Sequence, residues 1–215
     1  VRLLQAFGEI EEPFGRSQVG SSAMPYKRNP MRSERICALA RHLCTLELDA
    51  AWTASVQWFE RTLDDSANRR ISLPEAYLAA DAVLLLATNV GAGLVVHEPV
   101  IRRRLERELP FLVTEEVLVA GVEAGGDRQD LHERVREHAM AARERLDGGA
   151  DDNDFLDRVA GDGSVPLDEA ALVELAEPSR LVGRAPEQVD RFLHLRVDPV
   201  LEAAGDVPDI PELRV

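Results

Sequence analysis

The feature that most constrains the fold is the recurrence of apolar residues at helical spacing along nearly the whole chain. After Pro30, apolar side chains recur every three or four residues as far as Leu46. This spacing places them on one face of a helix that we expect over residues 30–51. Proline is favoured at a first helical position, and Asn29 is the predicted N-cap. Strand-like alternation is nearly absent, so the sequence predicts an all-α fold.

A second helix is predicted to begin near Pro74 and to end at residues 91–93. Its apolar residues, between positions 78 and 90, cover a broad face. A helix that is apolar on several sides suits a bundle interior or a subunit interface. The uncharged run 82–96 is shorter than the roughly 20 residues that span a bilayer, so we expect no membrane partner.

The pattern changes near His97, beyond which the predicted helices are shorter and more charged. We therefore expect two domains. Residues 1–96 form the first and contain a Gly/Ser-rich loop at about 13–30; residues 97–215 form a smaller, all-helical second domain. The helices expected in the second domain are 98–109, closed by Pro110; 115–124; 128–146; and further helices opened by Pro166 and Pro186, the last interrupted at Pro199.

Charge and cysteine content exclude several classes of function. The formal net charge of −14 would repel phosphate backbones, so nucleic acid is not expected as a partner. Cys37 and Cys44 are too few for a disulfide framework or a metal-ligand set, and we expect them to be buried free thiols in a reducing cytoplasm. No signal peptide is recognisable at Val1, where the chain begins within a pattern, as though cut from something longer.

The stretch GSSAMPYKRNP, residues 20–30, contains Lys27, the only lysine among 25 cationic residues. A compact, mobile ammonium differs chemically from a planar guanidinium. Its surroundings are basic, because only Glu34 is acidic between Arg16 and Arg35. An island of this sign in an acidic chain indicates a bound anion, and the N-terminus of the following helix would add to the positive field. The cations of this basic island are Arg16, Lys27, Arg28, Arg32 and Arg35.

A second polar cluster, WFERTLDDSANRR, occupies residues 58–70. Its arginines could bind phosphate or carboxylate oxygens. Its acidic residues also allow a salt-bridged helix start, so both interpretations stay open. The neighbouring aromatic residues are expected to pack in the core or in an interface rather than to stack on a base: Trp52, Trp58 and Phe59.

The loop resembles the signature of the fumarase/aspartase superfamily of lyases, G-S-S-x-M-P-x-K-x-N-P, at every fixed position. Within that superfamily the chain is most similar to the adenylosuccinate lyase family. The similarity rests on SSAMPYKRNPMRSER and TASVQWFERTLDDSANRR, and it extends through AGGDRQDLHERVR and GRAPEQVDRFL. It therefore covers nearly the whole chain.

The resemblance implies a carbon–nitrogen lyase of purine biosynthesis. Its reaction would be β-elimination of fumarate from adenylosuccinate, giving AMP, and from succinylaminoimidazole carboxamide ribotide. No cofactor or metal is implied. The resemblance also implies long helices of a central bundle followed by a helical C-terminal domain, and a cytoplasmic homotetramer whose active sites are shared between subunits. The chain would be the C-terminal half of such an enzyme.

The family pattern assigns roles to individual positions. Ser21 would be the general base, Lys27 would hold the carboxylate on which charge develops, and Glu34 would orient the histidine that acts as general acid. That histidine is expected outside this chain. Of the five histidines in the chain, His42, His97, His132, His138 and His194, only His132 is kept as a functional candidate. The predicted substrate-binding residues are Ser22, Met24, Asn29, Arg35, Arg61, Ser66 and Arg70.

Two alternatives remain open. Another superfamily lyase, such as argininosuccinate lyase, would not need arginines for a phosphate. A helical assembly protein could retain the same scaffold without turnover.

Overall fold

The computed structural model describes residues 1–15, 18–60 and 63–206, and it confirms the all-α fold class. Two-residue strands, which the sequence did not predict, pair antiparallel through Ile10 with Val96 and Glu11 with Val95. The elements in chain order are α1 Arg2–Ala6, β1 Ile10–Glu11, α2 Met31–Ser55, α3 Asp64–Ala92, β2 Val95–Val96, α4 Glu98–Leu112, α5 Thr114–Glu123, α6 Arg128–Asp147, α7 Phe155–Ala160, α8 Glu169–Leu175, a 3₁₀ turn Pro178–Leu181, α9 Ala185–Phe192, a π-helical turn Leu193–Val197 and α10 Asp198–Ala204.

The described residues fall into two compact units, residues 1–98 and residues 99–206. In the first unit α2 and α3 form a long antiparallel pair. Arg32 at the start of α2 donates to Asn89 near the end of α3 (2.8 Å), and Asn68 near the start of α3 donates to Thr53 near the end of α2 (2.9 Å). The two helices therefore run side by side along most of their length.

Helix α3 begins ten residues earlier than the expected start at Pro74, which lies inside the helix. Proline removes one backbone hydrogen bond and normally breaks a helix interior. Here the turns before it are held against the end of α2 by the bond from Asn68 to Thr53, and against the segment after α2 by the bond from Gln57 to Asp64 (3.1 Å). Tertiary contacts thus extend the helix across the proline.

Much of the apolar surface of α3 is exposed in this chain. Tyr77, Leu78 and Leu84 are each about two-thirds exposed or more, whereas Ala79, Leu86 and Val90 are buried. By length and composition, α3 is also the one helix of the described residues that could span a membrane. Core helices of soluble bundles have the same length and composition, so these two properties do not distinguish them. An exposed apolar face of this kind is typical of an interaction surface.

The second unit has its own hydrophobic core, built from α4 to α8. Phe155 and Val113 are completely buried, and the Phe155 ring packs at 6.1 Å from that of Phe111. Helix α4 continues past the expected stop at Pro110 to Leu112 because Leu109 and Pro110 are themselves buried in this core. Burial here outweighs the lost hydrogen bond.

The expectation that both cysteine thiols are buried was wrong: Cys44 is exposed and Cys37 half-buried. Trp52, Trp58 and Phe59 are all largely exposed, Trp58 by 83%, so the core placement is wrong for them and packing in an interface stays a prediction. The shared reason is that the surfaces of α2 and of the segment after it carry apolar groups that no other element of the described chain covers.

Candidate active site

The signature loop closes on itself at a narrow neck formed by Gly20, Lys27 and Asn29. The Asn29 side-chain amide donates to the carbonyl oxygen of Gly20 (2.9 Å). A Cβ atom on Gly20 would lie 2.2 Å from the carbonyl oxygen of Lys27, so only glycine fits. The tip between these residues is thereby held as one compact turn.

Ser21 lies directly after the neck and is half-buried. Its Oγ accepts hydrogen bonds from the backbone N–H groups of Met24 (3.2 Å) and Ala23 (3.4 Å). Donors aimed at an oxygen favour its charged form over its neutral form. The turn thus directs two backbone donors at the Ser21 oxygen.

Three predicted site residues line one groove. Lys27, Asn29 and Glu34 surround a cavity of about 770 Å³, together with Arg2 and Arg28. Lys27 and Glu34 are exposed, and the Lys27 backbone N–H donates to the carbonyl of Met24 (3.0 Å). The groove thus places a mobile ammonium, an amide and a carboxylate around one space.

The basic island is only partly available to an anion. Arg32 is 8% exposed and is bonded to Asn89 and to Gln18 (3.4 Å), so it is a structural residue. Arg28 pairs with Glu11 (2.9 Å) and lies over the Phe14 ring. Arg16 lies outside the described residues. Arg28 is exposed but paired, so Lys27 and Arg35 are the exposed cations without an ion pair on this part of the described chain.

The N-terminus of α2 is not capped by Asn29 as expected. Pro30 occupies the N-cap position without a side-chain bond, and the Asn29 amide is used at the loop neck. The cap comes from Glu12, whose carboxylate accepts from the N–H groups of Arg32 (2.8 Å) and Ser33 (2.9 Å). Sequence reasoning missed this residue because it lies 20 positions before the groups that it binds.

The other predicted loop residues are exposed. Ser22 and Met24 lie at the surface of the tip, and the Tyr26 hydroxyl donates to the Met24 sulfur (3.6 Å). Arg35 lies on the first turns of α2. These side chains are accessible to a ligand that enters over the loop.

The second polar cluster lies at the opposite end of the α2–α3 pair. Ser66 is half-buried and Arg70 exposed on the first turns of α3, while Arg61 lies outside the described residues. Arg69 pairs with Asp65 (3.0 Å), so the interpretation of this segment as a salt-bridged helix start is correct for that pair. At 1.5 Å per residue along α2, Arg70 lies about 30 Å from the loop.

His132 lies in the second unit, exposed in a groove between α5 and α6. Within the described ranges no group of three or more His, Cys, Asp or Glu side chains is arranged to hold a metal ion. The structure therefore brings Lys27, Asn29 and Glu34 around one groove, which Ser21 does not line, and leaves Ser66 and Arg70 at the other end of the α2–α3 pair.

Comparison with known proteins identifies the relatives of this chain. Residues 110–192 match the family model described as the adenylosuccinate lyase C-terminus. The chain is 53% identical over 204 residues to adenylosuccinate lyase of Saccharomyces cerevisiae, covering 94% of this chain and 42% of the relative. It is 48% identical to adenylosuccinate lyase of Schistosoma mansoni, covering 96% of this chain and 43% of the relative. The chain thus spans about two fifths of the length of these relatives.

A solved structure shares the fold. The 3-carboxy-cis,cis-muconate lactonizing enzyme of Pseudomonas putida superposes with a TM-score of 0.74, at 22% identity, over 90% of this chain and 41% of that chain. At this identity the likeness concerns the fold alone. The match in fold includes residues of both units of the chain.

Proposed function

Because the chain belongs to the adenylosuccinate lyase family and matches the C-terminal part of its members, we propose that it contributes part of an active site that eliminates fumarate from adenylosuccinate to give AMP. The same chemistry would act on succinylaminoimidazole carboxamide ribotide. The observation that carries the proposal is the geometry of the loop: two backbone N–H groups donate to the Ser21 hydroxyl, and Lys27, Asn29 and Glu34, at the end of the loop and the start of α2, line one groove.

Ser21 serves as the general base that removes the Cβ proton of the succinyl group. A serine hydroxyl is far too weak an acid to ionise unaided, so its alkoxide must be stabilised. The N–H groups of Ala23 and Met24 point at Oγ and provide part of that stabilisation. The ammonium of Lys27 on the same tip adds a positive charge nearby.

Lys27 and Asn29 hold the carboxylate next to the carbon that loses its proton. Negative charge accumulates on that carboxylate in the transition state, so a preorganised ammonium stabilises the transition state more than the ground state. Glu34, one turn into α2, orients a histidine from elsewhere in the enzyme, which protonates the departing nitrogen. In this proposal the groove binds the succinyl part of the substrate.

Ser66 and Arg70, with Arg61 and Arg35, bind the nucleotide and especially its phosphate. Ser66 and Arg70 lie about 30 Å or more along α2 from the start of that helix, where the loop ends, which is too far for one substrate molecule. We therefore propose a homotetramer in which each site combines the loop of one subunit with the α3 start of another. The exposed apolar face of α3 supports such an assembly.

We also propose that the enzyme is cytoplasmic and has no membrane or nucleic-acid partner. Its support is the net charge of −14 and the free thiols of Cys37 and Cys44.

The first test measures fumarate release from adenylosuccinate by the full-length protein that contains this chain, with argininosuccinate as a parallel substrate. Ser21→Ala should lower kcat by about 10²–10⁴-fold, the usual contribution of a general base. Ser22→Ala is the matched control, and we expect it to act mainly on KM. Release from argininosuccinate instead would identify a different superfamily lyase, and release from neither substrate by a folded tetramer would favour the non-catalytic assembly protein.

A second variant addresses the single lysine. Lys27→Arg keeps the charge but replaces the compact ammonium, and we expect kcat to fall by about 10²-fold. Full activity in this variant would disprove the need for an ammonium at the loop tip.

Shared sites are tested by mixing two inactive variants. Subunits with Ser21→Ala are co-expressed with subunits with Arg70→Ala, under separate tags, and the mixed tetramers are purified. If each site takes Ser21 from one subunit and Arg70 from another, about a quarter of wild-type activity should return. No recovery in verified mixed tetramers would place both residues in sites built from one subunit.

A further inference from the structure

Glu12 is the most completely buried carboxylate of the described chain, with 2% of its surface exposed. Oε1 accepts from the N–H of Arg32 (2.8 Å), and Oε2 accepts from both the N–H and the hydroxyl of Ser33 (2.9 Å each). A buried charge is costly unless hydrogen bonds and an opposite field compensate it. The N-terminus of α2 supplies both, since its free N–H groups and dipole favour an anion there.

These bonds close the signature loop at its base. Glu12 precedes the loop and Arg32 and Ser33 follow it, so one carboxylate joins the two ends. Gln5 reinforces the closure from α1, because its side chain accepts from the N–H of Glu12 (3.3 Å) and donates to the carbonyl of Arg28 (2.8 Å). These bonds therefore fix the position of the segment before the loop relative to the segment after it.

The position of the loop base also affects the position of Ser21 at the loop tip. Asn29, two residues before the start of α2, is bonded to Gly20, and Gly20 is covalently joined to Ser21. Glu12 itself does not line the groove that contains Lys27 and Glu34. Any effect of Glu12 on the reaction is therefore indirect.

We propose that Glu12 is a positioning residue that fixes the base of the signature loop on α2 and thereby places Ser21 for proton removal. This inference rests on the proposed lyase function. A carboxylate is required because both oxygens accept, whereas an amide would present an NH₂ group to one set of donors. A misplacement of about 1 Å at a reacting group can cost about 10²-fold in rate.

The test compares Glu12→Gln and Glu12→Asp with the matched control Glu11→Gln in the full-length protein. Glu11→Gln removes the same charge one residue away, where the partner Arg28 is exposed. Steady-state kinetics with adenylosuccinate are measured at a temperature where circular dichroism shows every variant folded. Hydrogen exchange is followed in peptides covering residues 18–35.

We expect Glu12→Gln to lower kcat by about tenfold or more with KM changed less than about threefold, and Glu12→Asp to recover part of the loss. Exchange should rise in residues 18–35 and not in the rest of the protein, and Glu11→Gln should change kcat less than about threefold. A kcat within about twofold of wild type in Glu12→Gln would overturn the proposal. A loss of kcat accompanied by faster exchange throughout the first unit would also overturn it, because Glu12 would then be merely structural.

Failure of the lyase function is distinguishable from failure of this inference. If the wild-type protein releases no fumarate, the proposed function fails. The exchange measurement still reports whether Glu12 fixes the base of the loop. Faster exchange confined to residues 18–35 in Glu12→Gln supports this positioning role, and unchanged exchange there contradicts it.

Discussion

Asp162 offers a stability test whose pH dependence follows from its contacts. It lies just after α7 and accepts from the Ser164 hydroxyl (2.6 Å) and the Ser164 N–H (2.9 Å). Its second oxygen is 2.8 Å from Nε2 of His138 on α6. The carboxylate therefore joins the end of α7 to the middle of α6. Replacing it with alanine removes every one of these contacts.

The hydrogen bonds from Ser164 and His138 hold the pKa of the Asp162 carboxyl well below its usual range, the Ser164 hydroxyl contributing most. A hydrogen bond to a charged group contributes about 1.5–3 kcal/mol. Because the side chain is 18% exposed, solvent weakens these bonds, and we expect Asp162→Ala to cost about 2–4 kcal/mol in total. Asp162→Asn keeps one acceptor oxygen and should cost about 1–2 kcal/mol.

The lowered pKa fixes the sign of the pH dependence. A carboxyl whose pKa is lower in the folded than in the unfolded state stabilises the fold fully above the unfolded pKa of about 4. That stabilisation declines by about 1.4 kcal/mol for each pH unit as the pH falls from there toward the folded value. The difference between wild type and Asp162→Ala should therefore shrink as the pH falls below about 4.

Hydrogen exchange in residues 155–165 of the full-length protein measures this local free energy without requiring subunit dissociation. Asp190→Asn, an exposed change of the same charge on α9, is the control and should stay within about 0.5 kcal/mol of wild type. A difference below about 0.5 kcal/mol for Asp162→Ala at pH 7, or a difference that does not shrink between pH 4 and pH 3, would refute the reasoning.

Three further changes test the loop neck, the core and a helix cap. Gly20→Ala should lower fumarate release by about tenfold or more, because its Cβ would meet the Lys27 carbonyl at 2.2 Å, whereas Gly163→Ala, which has open space, should not. Phe155→Ala should destabilise the second unit by about 3–5 kcal/mol in urea unfolding, against less than about 1 kcal/mol for the exposed Phe192→Ala. Asp127→Ala should cost about 1 kcal/mol in the same assay, because the Asp127 carboxylate accepts from the N–H groups of Gln129 and Asp130, and Asp127→Asn should recover most of it.

The sequence predicted the helical fold because the apolar spacing in α2 and α6 is a local property. It misplaced the start of α3 and the end of α4 for a different reason. Pro74 and Pro110 are local stop signals, yet both lie inside helices whose packing outweighs one lost hydrogen bond. That packing depends on residues far away in the sequence, which periodicity does not report.

Three of the residues that the motif and its family pattern single out lie around one groove: Lys27, Asn29 and Glu34. The motif gave no indication of Glu12, because a carboxylate that caps a helix from 20 residues away has no fixed spacing. Asn29 shows the converse. Its residue type suits an N-cap, but its amide donates to the carbonyl of Gly20 instead, because the two ends of the loop tip lie close together there.

The length of α2 is the reason for proposing that the site is shared between chains. A helix of 25 residues is a rod of about 37 Å, and it separates the loop from the first turns of α3, where Arg70 lies. A substrate that fits a pocket of about 300–1,000 Å³ is much shorter than this rod. If Ser21 and Arg70 act on one molecule, Arg70 must therefore come from another copy, and the uncovered apolar face of α3 is the surface on which that copy would pack.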